Sequence, residues 1–181
     1  MAARDAVVLS GGPNWEVKLG RLDSLTASQE DSSDIMPSPR ANATTLIDLF
    51  SRFNLSVKDL VALSGSHSIG KGRKKLDKLC PLGGDENVTG NLDATPEKFD
   101  NQYFKDLVNG RGFLNSDQTL FTCPETREYV RLFSRNQSAF FKAFVEGMLK
   151  LGDLQSWRTG EIRKNCRIIN SRTLEGLFDD F

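Results

Sequence analysis

One stretch constrains this chain more than any other. It is Asp59-Leu60-Val61-Ala62-Leu63-Ser64-Gly65-Ser66-His67-Ser68-Ile69-Gly70, and it holds the only histidine among 181 residues. Ser56, with Asp59 three positions on, reads as a capping box, so a helix starts there. Leu60, Leu63, Ser64 and His67 then recur at i, i+3, i+4 and i+7, a spacing that places them on one helical face. That face is apolar until its end, where an imidazole is offered to whatever the helix packs against. Ser64-Gly65-Ser66 is a run of small residues that lets a bulky, flat group approach closely. Neutral imidazole serves both a satisfied core histidine and a ligand, so the local pattern leaves both readings open.

The rest of the chain is also mainly α in pattern. Leu46, Leu49, Phe50 and Phe53 form an apolar stripe of helical period, and Phe141, Phe144, Val145 and Met148 form the strongest one. Thr95-Pro96 reads as an N-cap followed by proline at the first helical position, opening a helix that carries Tyr103, Phe104, Leu107 and Val108. Thr122 with Glu125 reads as another capping box, before Tyr129, Val130 and Phe133. Residues 20–39 are rich in Asp, Ser and Pro and read as a long loop. Lys71 to Lys78 is a basic run expected on a solvated face or linker. Strand signal is weak and short.

Composition narrows the function. Acidic and basic residues number 24 each, and no basic stripe interleaves with aromatics, so nucleic acid is not an expected partner. Hydrophobic residues at 38% suffice for one core. No apolar run approaches a membrane span, so no membrane partner is expected. Ala6-Val7-Val8-Leu9, broken at once by Ser10-Gly11-Gly12-Pro13, is neither a signal nor a transit peptide. The cysteines, Cys80, Cys123 and Cys166, are odd in number and cannot all pair internally. Glycosylation sequons occur at Asn42, Asn54, Asn87 and Asn136, and matter only in a secreted protein. Ser66-His67-Ser68 is no hydrolase dyad, because helix neighbours do not face each other, and no G-x-S-x-G elbow is present. Three cysteines and one histidine at these spacings make no zinc motif.

The His67 segment resembles the proximal haem-ligand helix of the plant secretory (class III) peroxidases. Further motifs resemble that family in order: Ala2-Ala3-Arg4-Asp5-Ala6-Val7, Gly11-Gly12-Pro13, Gly20-Arg21-Leu22-Asp23, Phe99-Asp100-Asn101-Gln102-Tyr103-Phe104, Gly112-Phe113-Leu114-Asn115-Ser116-Asp117-Gln118 and Asn165-Cys166-Arg167. The likeness runs from Ala2 to about Asn170. It implies a partial peroxidase domain over residues 1–170 and a tail with a small amphipathic end over 171–181.

What the resemblance implies is specific. The fold is expected to be the haem-peroxidase helical fold, chiefly its proximal lobe. The reaction is oxidation of phenolic donors by hydrogen peroxide at haem b. His67 would be the axial ligand and Asp117 its hydrogen-bond partner. Ser68, Asp93, Thr95 and Asp100 match positions that give oxygens to the family's proximal calcium, with Asp93 and Thr95 closer in sequence than in many members. Pro37, in Met36-Pro37-Ser38-Pro39, matches a proline lining the access channel for aromatic donors; a stiff loop is the alternative.

The family's catalytic histidine and arginine lie in an R-x-x-F-H-D-C motif that would precede Met1. The distal-histidine helix is thus expected to be absent, and no residue of this chain is read as the catalytic acid–base. Cys80 and Cys166 lack their family partners, and Arg73 runs straight into Lys74-Lys75-Leu76 where a longer segment is usual. A monomeric or aggregation-prone protein is expected. The alternative function is a catalytically inactive haem- or calcium-binding remnant or truncated gene product. The family is secreted or vacuolar; the lack of a signal peptide leaves the compartment of this chain open.

Overall fold

The capping box at Ser56 forms as the sequence dictates. Ser56 Oγ accepts from the backbone N–H of Asp59, and Asp59 Oδ2 accepts from that of Ser56, at 3.2 and 2.9 Å. This starts helix α4, Val57–Ser64. The computed structural model describes residues 1–73, 89–154 and 160–170. Within them, α4 is one of eight α-helices. The others are α1 (Ala2–Leu9), α2 (Gln29–Ile35), α3 (Ala43–Ser51), α5 (Gln102–Val108), α6 (Asn115–Thr122), α7 (Pro124–Arg135) and α8 (Gln137–Asp153). The mainly α class implied by the sequence is therefore the class observed. The tail, Cys80, the Asn87 sequon and Lys74 to Lys78 lie outside the described residues.

Helix α8 packs along α4, and α7 packs on α4, α5 and α6. The seam is phenylalanine. Phe99 meets Phe140 and Phe144 at ring-centroid distances of 5.4 and 4.8 Å, and Phe104 meets Phe133 and Phe140 at 5.3 and 4.8 Å. All five rings are essentially buried. Edge-on and offset ring pairs of this kind add about 0.5–1.5 kcal/mol each beyond the area they bury. Two ion pairs pin the outer edge of the α4–α8 contact: Lys58 to Glu146, and Lys150 to buried Asp59, each at 2.7 Å.

Strand is confined, among the described residues, to two antiparallel pairs. Strand β1 (Asp23–Ser24) pairs with β4 (Gly160–Glu161), and β2 (Lys71–Arg73) with β3 (Thr89–Asn91). The first pair closes a strap. Residues 15–24 run over the end of α8, where Lys18 bonds Asp153 at 2.9 Å, Arg21 donates to the Gly152 carbonyl, and the Ser24 carbonyl accepts from Arg163 at 2.7 Å. The second pair brings Leu92 and Asp93 beside Gly70 and Ser68. No described helix is long and apolar enough to cross a membrane.

Several expectations are corrected. The α-helix does not reach His67; it ends at Ser64, and Gly65–Ser68 forms a 3-10 turn. Ser64, Gly65 and Ser66 are poor helix formers, and the chain turns extended at Ile69 and left-handed at Gly70, φ +108°. Gly65 makes room for the core rather than for a flat ligand: a Cβ there would stand 2.5 Å from Phe140 and 2.8 Å from Phe104. Thr95-Pro96 opens no helix. Residues 95–98 form turns, and α5 begins only at Gln102 after Asn101. Thr122 caps nothing; it ends α6, because Pro124 forces Cys123 extended and itself takes the first position of α7. The polar stretch 20–39 contains α2, capped by Ser28. On α8 the buried stripe is Phe140, Ala143, Phe144 and Gly147, so Phe141, Val145 and Met148 lie at its half-buried margin.

Candidate functional site

His67 is presented by the 3-10 turn at the end of α4, and its side chain is 36% exposed. Its Nδ1 lies 2.8 Å from Asp117 Oδ1. Asp117 sits at the third position of α6 and is buried. Two further donors hold the carboxylate: the Tyr103 hydroxyl at 3.0 Å to Oδ1, and the Leu114 backbone N–H at 3.2 Å to Oδ2. Donors from α5 and from the start of α6 thus fix one carboxylate, and the carboxylate fixes the imidazole.

The tautomer follows. A carboxylate acceptor on Nδ1 keeps the proton there, so Nε2 carries the lone pair on the opposite side of the ring. No described residue bonds Nε2. Burial works to lower the His67 pKa, but the hydrogen bond and charge of Asp117 outweigh it, and the net shift is upward. The ring is therefore a more basic ligand than free imidazole. Tyr103, fully buried, meets the His67 ring edge-on at 6.2 Å, and its phenol is pushed well up by burial and by the Asp117 charge. An imidazole held through Nδ1 by a carboxylate, with no described partner on Nε2, is chemically able to ligate a metal ion.

The second cluster is oxygen-rich. Ser68, fully buried, stands beside His67. Its Oγ lies 3.3 Å from Asp93 Oδ2, 3.1 Å from the Lys98 carbonyl and 3.0 Å from the Asp100 carbonyl. Thr95 Oγ1 lies 3.2 Å from both Asp100 carboxylate oxygens. The structure thus brings Ser68, Asp93, Thr95 and Asp100 together, with two carbonyls that the sequence does not signal. Burial, with Asp100 and Asp106 close by, raises the Asp93 carboxyl to about 6 against hydrogen bonds from Thr95 and Ser68. Among the described residues no group of three or more His, Cys, Asp or Glu has metal-site geometry. The donor set here is two carboxylates with hydroxyls and carbonyls, all hard oxygen.

Pro37 is exposed, just after α2. The segment that follows it is anchored on α6. Ser116 N–H donates to the Pro39 carbonyl at 3.1 Å, and Asn115 Nδ2 donates to the Arg40 and Ala41 carbonyls, each at 3.1 Å.

Sequence reasoning misses Tyr103, Asn115 and Asp106. The pattern puts Tyr103 in a core stripe, and the signal available is its hydroxyl, which needs a partner once buried. Asp106 accepts from Ala94 N–H, Gln102 and Arg111, and so braces the turn that carries Asp93 and Thr95. Cys123 is half-buried and Cys166 exposed, and both are free thiols. A groove of about 360 Å³ between α1, the strap and the end of α8 includes Arg4, Trp15, Lys18 and Met148, and none of the predicted site residues lines it.

Comparison with known proteins assigns the class. The peroxidase family model matches residues 1–136. Peroxidase 17 of Arabidopsis thaliana is 69% identical, over 98% of this chain and 62% of its own length. Peroxidase 40 of the same plant is 41% identical over 94% of this chain and 57% of its own length. Peroxidase N of Armoracia rusticana is 38% identical over 94% and 61%. The chain belongs to the peroxidase family, in its plant class III branch. It spans about three-fifths of the length of the curated relatives it matches.

Proposed function

We propose that this chain is the proximal side of a haem peroxidase that oxidises phenolic donors with hydrogen peroxide. His67 holds haem b through Nε2, and Asp117 sets its tautomer and basicity. The observation that carries this reading is the 2.8 Å bond from His67 Nδ1 to a buried carboxylate, with the other nitrogen unclaimed by any described residue. Haem, when bound, would supply a redox-active iron, which His67 and its hydrogen bond to Asp117 would tune. Asp117 keeps the proton on Nδ1, Tyr103 and Leu114 keep Asp117 in place, and the 3-10 turn carries the ring, which stays partly exposed. Ser68, Asp93, Thr95 and Asp100 hold calcium, which ties the loop 93–100 to the residue next to His67. Pro37 belongs to the rim met by donors. The family's secreted or vacuolar address is part of the same reading.

Titration of haem into the chain and into His67→Ala tests it. A Soret band with an imidazole-ligated position is expected only for the wild type, and equal spectra would remove His67 from the iron. Turnover is a separate matter. A positioned acid–base contributes about 10²–10⁴ in rate to proton transfer. The sequence has one histidine, and the proposal commits it to iron. The isolated 181-residue chain loaded with haem is expected to oxidise guaiacol no faster than free haem with imidazole. Rates near those of a full-length relative would reveal an acid–base group within these residues.

A further inference from the structure

Helix α6 carries more than Asp117. One residue before Asp117, the Ser116 N–H holds the Pro39 carbonyl; two residues before it, Asn115 Nδ2 forks to the Arg40 and Ala41 carbonyls at 3.1 Å each. Near the middle of the helix, Thr119 Oγ1 accepts from Ala43 N–H at 3.0 Å, at the start of α3. The first turn of α6 therefore holds the imidazole through Asp117 and stitches residues 39–41 through Asn115 and Ser116, and Thr119 adds residue 43. Among these bonds the Asn115 amide is the one side chain that reaches the stretch directly after Pro39. Residues 36–40 are otherwise exposed and form no regular element. An amide is chemically suited to this fork, because its NH₂ gives two donors, one for each carbonyl.

We propose that Asn115 is a positioning residue for donor binding. It latches Arg40 and Ala41, the residues directly after the rim 36–39, onto the same helix end that holds Asp117, and so adds to the Ser116–Pro39 bond in keeping rim and His67 at a fixed spacing. The inference rests on the proposed peroxidase reading and adds to it a residue outside the haem and calcium sets. Loss of the fork removes two hydrogen bonds from an exposed loop and leaves the His67–Asp117 pair and the Phe core untouched.

Two variants separate latch from scaffold. Asn115→Ala removes both donors. Asn115→Asp keeps shape and puts a carboxylate at the first turn of a helix, where the dipole favours it, while turning an oxygen against two carbonyls. Trypsin cleavage of the Arg40–Ala41 bond, followed by mass spectrometry on the haem-loaded chain, reads the local opening. A guaiacol-induced difference spectrum reads donor affinity, and a thermal melt reads global stability. Both variants are expected to cleave about tenfold faster at Arg40, the effect of two modest hydrogen bonds lost, and to bind guaiacol several-fold more weakly. The Asp variant is expected to melt no lower than wild type. Unchanged cleavage, or faster cleavage with unchanged guaiacol affinity, overturns the inference. A wild type that takes up haem and binds no guaiacol overturns the donor reading itself, and this inference with it.

Discussion

Two helix ends in this molecule use the same local device for different ends. At the start of α4, Asp59 lies buried at the third helical position and accepts from the backbone N–H of the capping residue. At the start of α6, Asp117 does the same with Leu114. The difference is in the other lone pairs. Asp59 spends them on the Ser56 hydroxyl and on Lys150, at 2.7 Å each, a permanent cation from α8. Burial raises its pKa, but the bonds from Lys150 and Ser56 outweigh that and hold the carboxyl below its ordinary value. Asp117 has no capping hydroxyl, because leucine has none to give. Its remaining capacity goes to a tyrosine hydroxyl and to an imidazole whose second nitrogen no described residue bonds. A buried helix-end carboxylate that meets a charge is a staple; one that meets an imidazole through one nitrogen fixes that ring's tautomer, which is what the proposed ligand role of His67 requires.

If that contrast holds, the largest effect falls on the staple. Lys150→Met strands Asp59 with only the Ser56 bonds and is expected to cost about 3 kcal/mol, the low end for breaking a buried pair, measured by urea unfolding, while haem uptake per folded molecule stays at the wild-type value. A cost below about 1 kcal/mol would place the pair among ordinary surface bridges. The sign of its pH dependence is fixed. The folded-state pKa of Asp59 is depressed, so its contribution is present above the unfolded value of 3.8 and is lost as pH falls through the lower folded value. Acid unfolding curves of wild type and Asp59→Asn should therefore converge below that pH.

Calcium comes next. An ion bound only by the native chain stabilises it by about 2.7 kcal/mol at a hundredfold excess over Kd. The melt should rise from chelator to excess calcium in wild type and in Lys150→Met, and stay still in Asp93→Asn. A wild-type melt that ignores calcium would count against the Ser68 cluster. Asp117→Asn should then weaken haem binding by about 10–100-fold, the usual loss for a partner of a metal-bound histidine, with less damage to stability than Lys150→Met. Equal haem affinity would make the two helix ends equivalent. The smallest effect is expected from Tyr103→Phe, about 1 kcal/mol of stability for one buried hydroxyl bond, with haem affinity between those of wild type and Asp117→Asn.

Legibility in the sequence follows the same division. The α4 box is readable because Ser56 and Asp59 satisfy each other within four residues. The His67–Asp117 pair spans 50 positions, and only the likeness of both segments to one family points to it. Periodicity draws α4 too long because it carries on through Ser64-Gly65-Ser66, where backbone preference and the left-handed Gly70 end the helix. Thr95-Pro96 has the local chemistry of a helix start, yet Thr95 spends its hydroxyl on Asp100, and its segment is tied through Ala94 to Asp106. There tertiary hydrogen bonds override a correct reading of propensity. Phe140 hides beside Phe141 because a stripe one residue out of phase fits a 3.6 repeat nearly as well. The Asn115 fork joins a side chain to carbonyls some 75 positions away, and backbone acceptors have no sequence signature at all.

The strap over the end of α8 carries a consequence for how the chain reaches this shape. Lys18 and Asp153 meet across 135 positions, and Asp23 pairs in register with Glu161. By contrast, α6, α7 and α8 follow one another with almost no connecting residues. Closing a large loop costs entropy before its contacts repay it, and folding speed falls as sequence separation grows. The helical run from Asn115 to Asp153 is therefore expected to assemble early, and the strap to dock onto it last. Opening is expected to run the other way: amides of residues 18–24 should exchange with solvent through the cheapest opening, and those of the Phe-lined helices only on global unfolding, which hydrogen exchange would show.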